Sequence, residues 1–318
     1  MDVVIIDGLS YALPLLCIAI GGIYSERSGV TNLALEGLLG AGAFIGALFV
    51  AFFGGYFPTG SLPLMFIAMA CAMVGGALYA MLHGLLCVKF RANQVISGVV
   101  INILAMAITV FLTRQINSTL FKSSDKIQLG VSPRFDVPWL SKIPIIGAVF
   151  KSVYPFEVII VAVVAIMWYI LYRTRFGMRL RACGDNPHAV DSAGLSVQRT
   201  RFAAVMISGA LTGLGGISFA YSISANFSSS IYTGAGYLAI AALIFGNWKI
   251  IPTVGACLLF GLARSGGYRL ANVLALPSSF SDLIMILPYV LTLLVLIFFS
   301  GTNRAPRALG EIYDKGKR

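Results

Sequence analysis

Long apolar runs separated by short polar connections set the plan of this chain. The runs lie at about Ser10–Tyr24, from the SERSGVTNLALEG stretch to Phe53, Leu62–Val88, Val95–Thr113, Tyr154–Tyr172, Phe202–Tyr221, Ala235–Phe245, Ile251–Ala263 and Leu283–Phe299. A bilayer core about 30 Å thick takes about 20 apolar residues as a helix, so most of these runs predict spans. A β-barrel would instead show short alternating segments. The expected fold is an all-α polytopic membrane protein of about 8–10 transmembrane helices, the seventh and eighth short enough to be half-helices. The sixth run carries GALTGLGG, which predicts an interruption. Residues 114–153 form the longest polar connection; with Pro133, Pro138, Pro144 and the apolar piece Ile143 to Phe150, they predict partial helices on the membrane surface.

Residues 173–201 form a polar island between two apolar runs, and six of them are arginine: Arg173, Arg175, Arg179, Arg181, Arg199 and Arg201. Its middle predicts a short helix with both ends marked. Asn186 suits the N-cap, Pro187 the first helical turn and Gly194 a left-handed stop. About seven residues make about 10 Å of helix. Its body, His188-Ala189-Val190-Asp191-Ser192-Ala193, is mostly small. A capped, small-faced helix at a membrane surface has the form of a docking element.

Composition agrees. Of 318 residues, 58% are hydrophobic and 11% charged, and the mean hydropathy is +0.89. A net charge of +11 belongs to loops and tail, where topology and anionic lipid account for it, and no nucleic-acid signature accompanies it. If the island is cytoplasmic and the spans alternate, the inside holds 15 of the 23 Lys and Arg residues: Arg27, Lys89, Arg91, the six island arginines, Lys249, Arg304, Arg307, Lys315, Lys317 and Arg318. The N-terminus is then external and the C-terminus cytoplasmic, with 114–153 an extracytoplasmic loop, 300–318 a basic cytoplasmic tail and 1–318 a single transmembrane domain. The five cysteines show no CxxC pair and read as small buried hydrophobes. No Lys or Arg precedes the first apolar run, so no cleavable signal is expected.

Glycine is abundant and clustered: Gly21-Gly22; Gly37, Gly40, Gly42 and Gly46; Gly75-Gly76; Gly209, Gly213, Gly215 and Gly216. Small residues let helices approach closely, and transporters also use glycine to break helices beside a substrate path. A weak internal two-fold repeat supports the second use. SGVTNLALEGLLGAGAF and TGAGYLAIAALIFGNWK repeat glycine and Leu-Ala at a constant offset of 205.

Catalytic chemistry is not encoded in any motif. The two histidines, His83 and His188, form no HExxH, and neither GxSxG nor a P-loop occurs. His83 reads as a satisfied packing residue. Twelve acidic residues nearly all flank spans, with Glu36 the exception. So little intramembrane acid leaves ion coupling without a carrier. Energy is expected from outside the chain, and the capped helix offers the inlet.

Three segments carry a family resemblance: ERSGVTNLALEGLLGAGAF (26–44), RANQVISGVVINILA (91–105) and FGMRLRACGDNPHAVDSAGLSVQRTR (176–201). The chain resembles the permease subunit of a prokaryotic ATP-binding-cassette importer, in the branched-chain amino acid, ribose and nucleoside permease superfamily. Asn93-Gln94-Val95-Ile96-Ser97-Gly98 points to the nucleoside-type branch. The resemblance implies a second permease subunit, of a different chain in this branch, two ATP-binding-cassette domains and an extracytoplasmic substrate-binding (lipo)protein. The chain itself would be no enzyme and hold no cofactor or metal, ATP and Mg belonging to partner subunits. Gly184, Asp185, Asn186, Pro187, His188, Ala189, Val190, Asp191, Ala193 and Gly194 would make the ATPase-coupling helix, with Val190 enlarging a usual alanine pair. Polar or aromatic residues within apolar runs are candidates for the substrate pathway: Asn32, Glu36, Phe44, Ser97, Asn102, Tyr237 and Asn247. Phe44 and Tyr237 would offer an aromatic face to a nucleobase. The same machine moving a sugar or branched-chain amino acid, or a stand-alone channel or secondary carrier, are the alternatives.

Overall fold

A computed structural model describes residues 2–58, 60–121, 126–130, 133–142, 146–228, 233–274, 286, 290 and 304–315. Ten α-helices run through them: α1 (Asp2–Arg27), α2 (Leu35–Phe53), α3 (Leu62–Gly84), α4 (Gln94–Ile116), α5 (Pro155–Arg173), α6 (Arg175–Asp185), α7 (Pro187–Ser192), α8 (Val197–Ile223), α9 (Ala235–Phe245) and α10 (Ile250–Val273). Seven of them, α1 to α5, α8 and α10, are long and apolar enough to cross a membrane. The strands β1 (Ile127–Gln128) and β2 (Asn226–Phe227) form one small antiparallel pair. Apart from residues 286 and 290, the predicted span at 283–299 lies outside the described residues, as do Pro144 and the basic residues Lys317 and Arg318.

The helices α1 and α8 make the centre, and α2, α3, α9 and α10 pack around them. Both central helices are buried over most of their length, which is why neither shows an amphipathic stripe. Two helices depart from the expectation. Despite GALTGLGG, α8 is continuous, because the glycines meet other helices rather than break their own. A Cβ on Gly209 would lie 2.3 Å from the Gly76 carbonyl oxygen of α3, and one on Gly42 of α2 would lie 2.4 Å from the Gly213 Cα. Backbones this close gain dispersion contacts that lipid cannot match, the main source of helix association in a bilayer. The eighth run is likewise no half-helix. The helix α10 continues ten residues past Ala263, and Arg264 remains in it by lying over the Tyr11 ring of α1, 4.1 Å from its centre.

The sides of the molecule follow from its contacts. Arg27, at the end of α1, touches Gly184 of α6, and the tail segment 304–315 bonds there too. Asp2, at the other end of α1, pairs with Lys151 of the long 114–153 connection at 2.7 Å. The tail thus lies on the face that carries the arginine island, and the start of α1 on the opposite one. Among the described residues of 114–153, α4 runs on to Ile116 into a π turn at Asn117–Phe121, and the expected surface helices are short turns at Leu140–Lys142 and Ile146–Phe150.

Close packing at the α3–α8 crossing makes a direct prediction. Gly209→Val should destabilise the chain by about 1–3 kcal/mol, the usual cost of overpacking. Thermal unfolding in detergent would measure it, and an unchanged midpoint would show the crossing to be loose.

Candidate functional sites at mid-membrane and on the arginine face

Between α1 and α2 the chain leaves the helix. Residues 28–34 climb beside the first two turns of α4, about 12 Å at 1.5 Å per residue. The break begins at Gly29, whose φ of 95° is open to glycine; a Cβ there would lie 2.5 Å from the Arg201 guanidinium. Non-helical backbone at membrane depth must find partners inside the protein. Here side chains supply them. The Thr31 N–H donates to Gln94 Oε1 at 2.6 Å, and His83 Nε2 stands 3.3 Å from the Thr31 carbonyl. Asn102 Nδ2 donates to the Leu33 carbonyl at 2.8 Å, while its Oδ1 accepts from the Gly37 N–H at 2.7 Å. Asn32 accepts from the Ala34 N–H at 3.1 Å and donates to Ser208 Oγ of α8 at 2.9 Å.

The second break is α9. Its 11 residues make about 16 Å of helix, half a bilayer core. Gly234 precedes it with φ 90°, matching Gly29 at the offset of 205. The two elements run in opposite directions. From the broken segment α2 leads away from the arginine face, whereas α9 ends on it at Asn247, whose Oδ1 accepts from the Arg304 N–H at 2.8 Å. They meet at Glu36. Its carboxylate accepts the N–H groups of Gly234 and Gly236, each at 2.6 Å, and so caps α9 from another helix. The Tyr237 hydroxyl accepts from Asn102 at 3.2 Å.

The structure therefore brings Glu36, Asn102 and Tyr237 together at mid-membrane and sets the other pathway candidates apart. Asn32 faces α8. Ser97 pairs with His83 Nδ1 at 2.9 Å, which also satisfies that histidine as expected. Phe44 is buried against Phe227, ring centres 5.8 Å apart, so its face is covered. The Tyr237 ring is 50% exposed and remains open. Asn247 belongs to the arginine-face turn, where φ is positive at both Asn247 and Trp248. Pattern reading missed two further buried carboxylates. Glu26 accepts from the Trp248 indole at 2.5 Å, and Glu157 from Ser10 at 2.6 Å. The flanking rule hid both, since each sits in a terminal helical turn.

On the arginine face the island folds as α6, α7 and the first turn of α8. Asn186 Oδ1 accepts from the Ala189 N–H at 3.1 Å, Pro187 opens α7, and Gly194 takes φ 77°. Pro187 and Val190 turn inward, Val190 against Cys183 and Val197. Asp185, Asn186, His188, Ala189, Ala193 and Gly194 are exposed, and Asp191 is half-buried. The enlarged Val190 thus points away from any partner. Gly184 is buried, and a Cβ on it would lie 2.2 Å from the Arg27 carbonyl oxygen, so it packs closely against the end of α1. Burial raises the Cys183 thiol pKa, with Arg201 opposing the shift. Arg201 itself departs from the island's surface role. It is buried, and donates to the carbonyls of Ser28, Glu311 and Cys183 at 3.0, 2.8 and 3.4 Å. On the opposite face, a cavity of about 410 Å³ is lined by Asp7, Tyr11, Arg134, Arg264, Tyr268 and Arg269 among others.

The family model described as "Branched-chain amino acid transport system / permease component" matches residues 4–296. The chain is 39% identical to the guanosine ABC transporter permease protein NupQ of Bacillus subtilis, over all of this chain and 98% of that protein. It is also 39% identical to the nucleoside ABC transporter permease protein NupC of Lactococcus lactis, with the same coverage. A second guanosine ABC transporter permease protein of Bacillus subtilis, NupP, is 28% identical over 92% of this chain and 80% of its own length. No solved structure matches the chain.

Capping by Glu36 is testable. Glu36→Ala leaves two buried N–H groups without their acceptor and should cost about 1–3 kcal/mol. Glu36→Gln, which keeps one carbonyl acceptor, should cost less. Thermal unfolding of the two variants measures the order; equal midpoints for Glu36→Ala and the parent would rule the cap out.

Proposed function

The chain belongs to the branched-chain amino acid transport system permease family, and from that premise we propose that it is a permease subunit of a nucleoside importer driven by ATP-binding-cassette subunits. One observation carries the substrate class: the 39% identity over the whole chain to permeases named for guanosine and for nucleosides. It favours nucleosides over the sugar and branched-chain amino acid alternatives. Within Bacillus subtilis both NupQ and NupP are similar to this chain, at unequal identity. That supports a pathway built from two different permease chains, of which this is one.

In this function the arginine face is cytoplasmic, the N-terminus is external and an external binding protein delivers the nucleoside. The helix α7 seats in a groove of an ATPase subunit through its exposed small residues Ala189, Ala193 and Gly194, flanked by Asn186 and His188. Its two ends are fixed by Asn186 and Gly194, so a push on it moves a defined body rather than a frayed loop. Substrate passes the mid-membrane junction of Glu36, Asn102 and Tyr237. There Tyr237 offers a ring face for the base, and the amide of Asn102 lies beside it. The chain supplies no ATP-binding or catalytic group of its own in this scheme, and ATP and Mg are held by the partners.

Two measurements test it. Uptake of labelled uridine by cells bearing the complete transporter should be competed by guanosine and not by ribose or leucine; competition by leucine or ribose alone would overturn the substrate class. Ala193→Arg places a long cation at the exposed C-terminal end of α7, where the cap bond to Ala189 is made by the backbone N–H and not by the side chain. It should lose co-purifying ATPase subunits and uptake together while the permease still inserts, and full retention of both would remove α7 from the docking surface.

A further inference from the structure

The segment 304–315 has no role in the scheme above, yet it is bonded to the turn after α9, to α6 and α7 and to the broken segment. Arg304 N–H donates to Asn247 Oδ1 at 2.8 Å, at the foot of α9. Ala308 N–H donates to the Gly184 carbonyl at 2.8 Å, where α6 hands over to α7. Gly310 N–H donates to the Gly29 carbonyl at 3.1 Å, at the foot of the broken segment. Beyond that point the strand reaches α7 itself. The Tyr313 ring lies 5.3 Å from the His188 ring, and Lys315 pairs with Asp191 at 3.5 Å. Asp314 pairs with Arg91 of the α3–α4 turn at 3.0 Å. Three of these bonds use the backbone of the segment, so they depend on its path more than on its side-chain chemistry.

Arg201 fixes that path. Its guanidinium is buried and spends N–H groups on carbonyls from three separate segments: the turn after α1, the end of α6 and the tail. Breaking one of these leaves a buried charge partly unsatisfied, so the three segments are held as one joint. The broken segment, at Gly29, and the end of α9 both have their feet on this joint or on the tail beside it.

We propose that residues 304–315 are a tie bar that transmits displacement of the coupling helix α7 to the feet of the broken segment and α9, with Arg201 as its positioning residue. This rests on the docking of α7 to an ATPase subunit. A tail that merely covers α6 would stabilise the fold and leave the ratio of transport to hydrolysis alone. A tie bar sets that ratio.

The experiment uses the complete transporter in proteoliposomes and reads three quantities: ATPase subunits retained, ATP hydrolysed and nucleoside imported per ATP. A chain ending at residue 303 should keep its ATPase subunits and hydrolysis but import about fivefold less per ATP, the lower range of ordinary coupling between sites. Asp314→Arg should lower the same ratio, and Arg91→Asp added to it should restore it. The paired change keeps the test open where truncation prevents the permease from folding into the membrane. An unchanged ratio in an assembled truncated chain overturns the tie bar, as does a charge swap without rescue. Loss of ATPase subunits with the tail alone also overturns it, since the tail would then be docking surface. None of these outcomes touches the docking of α7, which stands or falls on Ala193→Arg.

Discussion

Hydrocarbon offers no hydrogen bonds, and that single fact governs how this chain is built. An unpaired backbone N–H or C=O at membrane depth costs several kcal/mol. A helix satisfies itself, but residues 28–34 are not helical and the start of α9 lies at mid-membrane. Several backbone groups there are met by a side chain from elsewhere: Gln94 and Asn102 from α4, His83 from α3, Glu36 from α2. Those residues sit in otherwise apolar helices, and their positions along them are fixed by the bonds they make. A slip of one residue in α4 would carry both Gln94 and Asn102 off the segment. The broken backbone thereby sets the register of the helices that surround it.

The same requirement explains why several polar residues look like pathway residues in the sequence. A buried amide in a membrane helix reads equally as a substrate contact or as a partner for backbone. In this structure Asn32, Ser97 and Asn102 are engaged with protein groups. What they define is the shape of the junction, and what lies open at it is the Tyr237 ring. Support and contact are therefore different residues, a division expected where a site must hold its form while partners move around it.

How far the sequence shows this depends on the range of the interaction. The caps of α7 are local, lying within nine residues from Asn186 to Gly194, and they are legible. The shortness of α9 is equally local, because glycine precedes it and Gly-Asn follows it. The helix-breaking role expected of GALTGLGG was not realised, since glycine in a membrane helix reports an approaching backbone and the partner, Gly76, is 133 positions away from Gly209. Arg201 could not be told from its five island neighbours for the same reason: its acceptors come from Ser28, Cys183 and Glu311. Glu36 stood out as an intramembrane acid, yet its purpose depends on a helix that starts about 200 positions later. Periodicity names elements, and only folding names which orphaned group meets which side chain.

The antiparallel relation of the two repeated segments bears on what the junction can carry. A half-helix beginning at mid-membrane presents its positive N-terminal end there, a natural seat for the carboxylate of an amino acid or a phosphate. In this chain the seat of α9 is taken, because Glu36 already accepts from Gly234 and Gly236. A cargo carboxylate finds those N–H groups already engaged. A nucleoside has no charge to lose. It needs a ring face for its base, and Tyr237, steadied by Asn102, lies at this place. A cargo that relies on a helix N-terminus to hold a carboxylate therefore finds that of α9 occupied, whereas a nucleoside asks nothing of it.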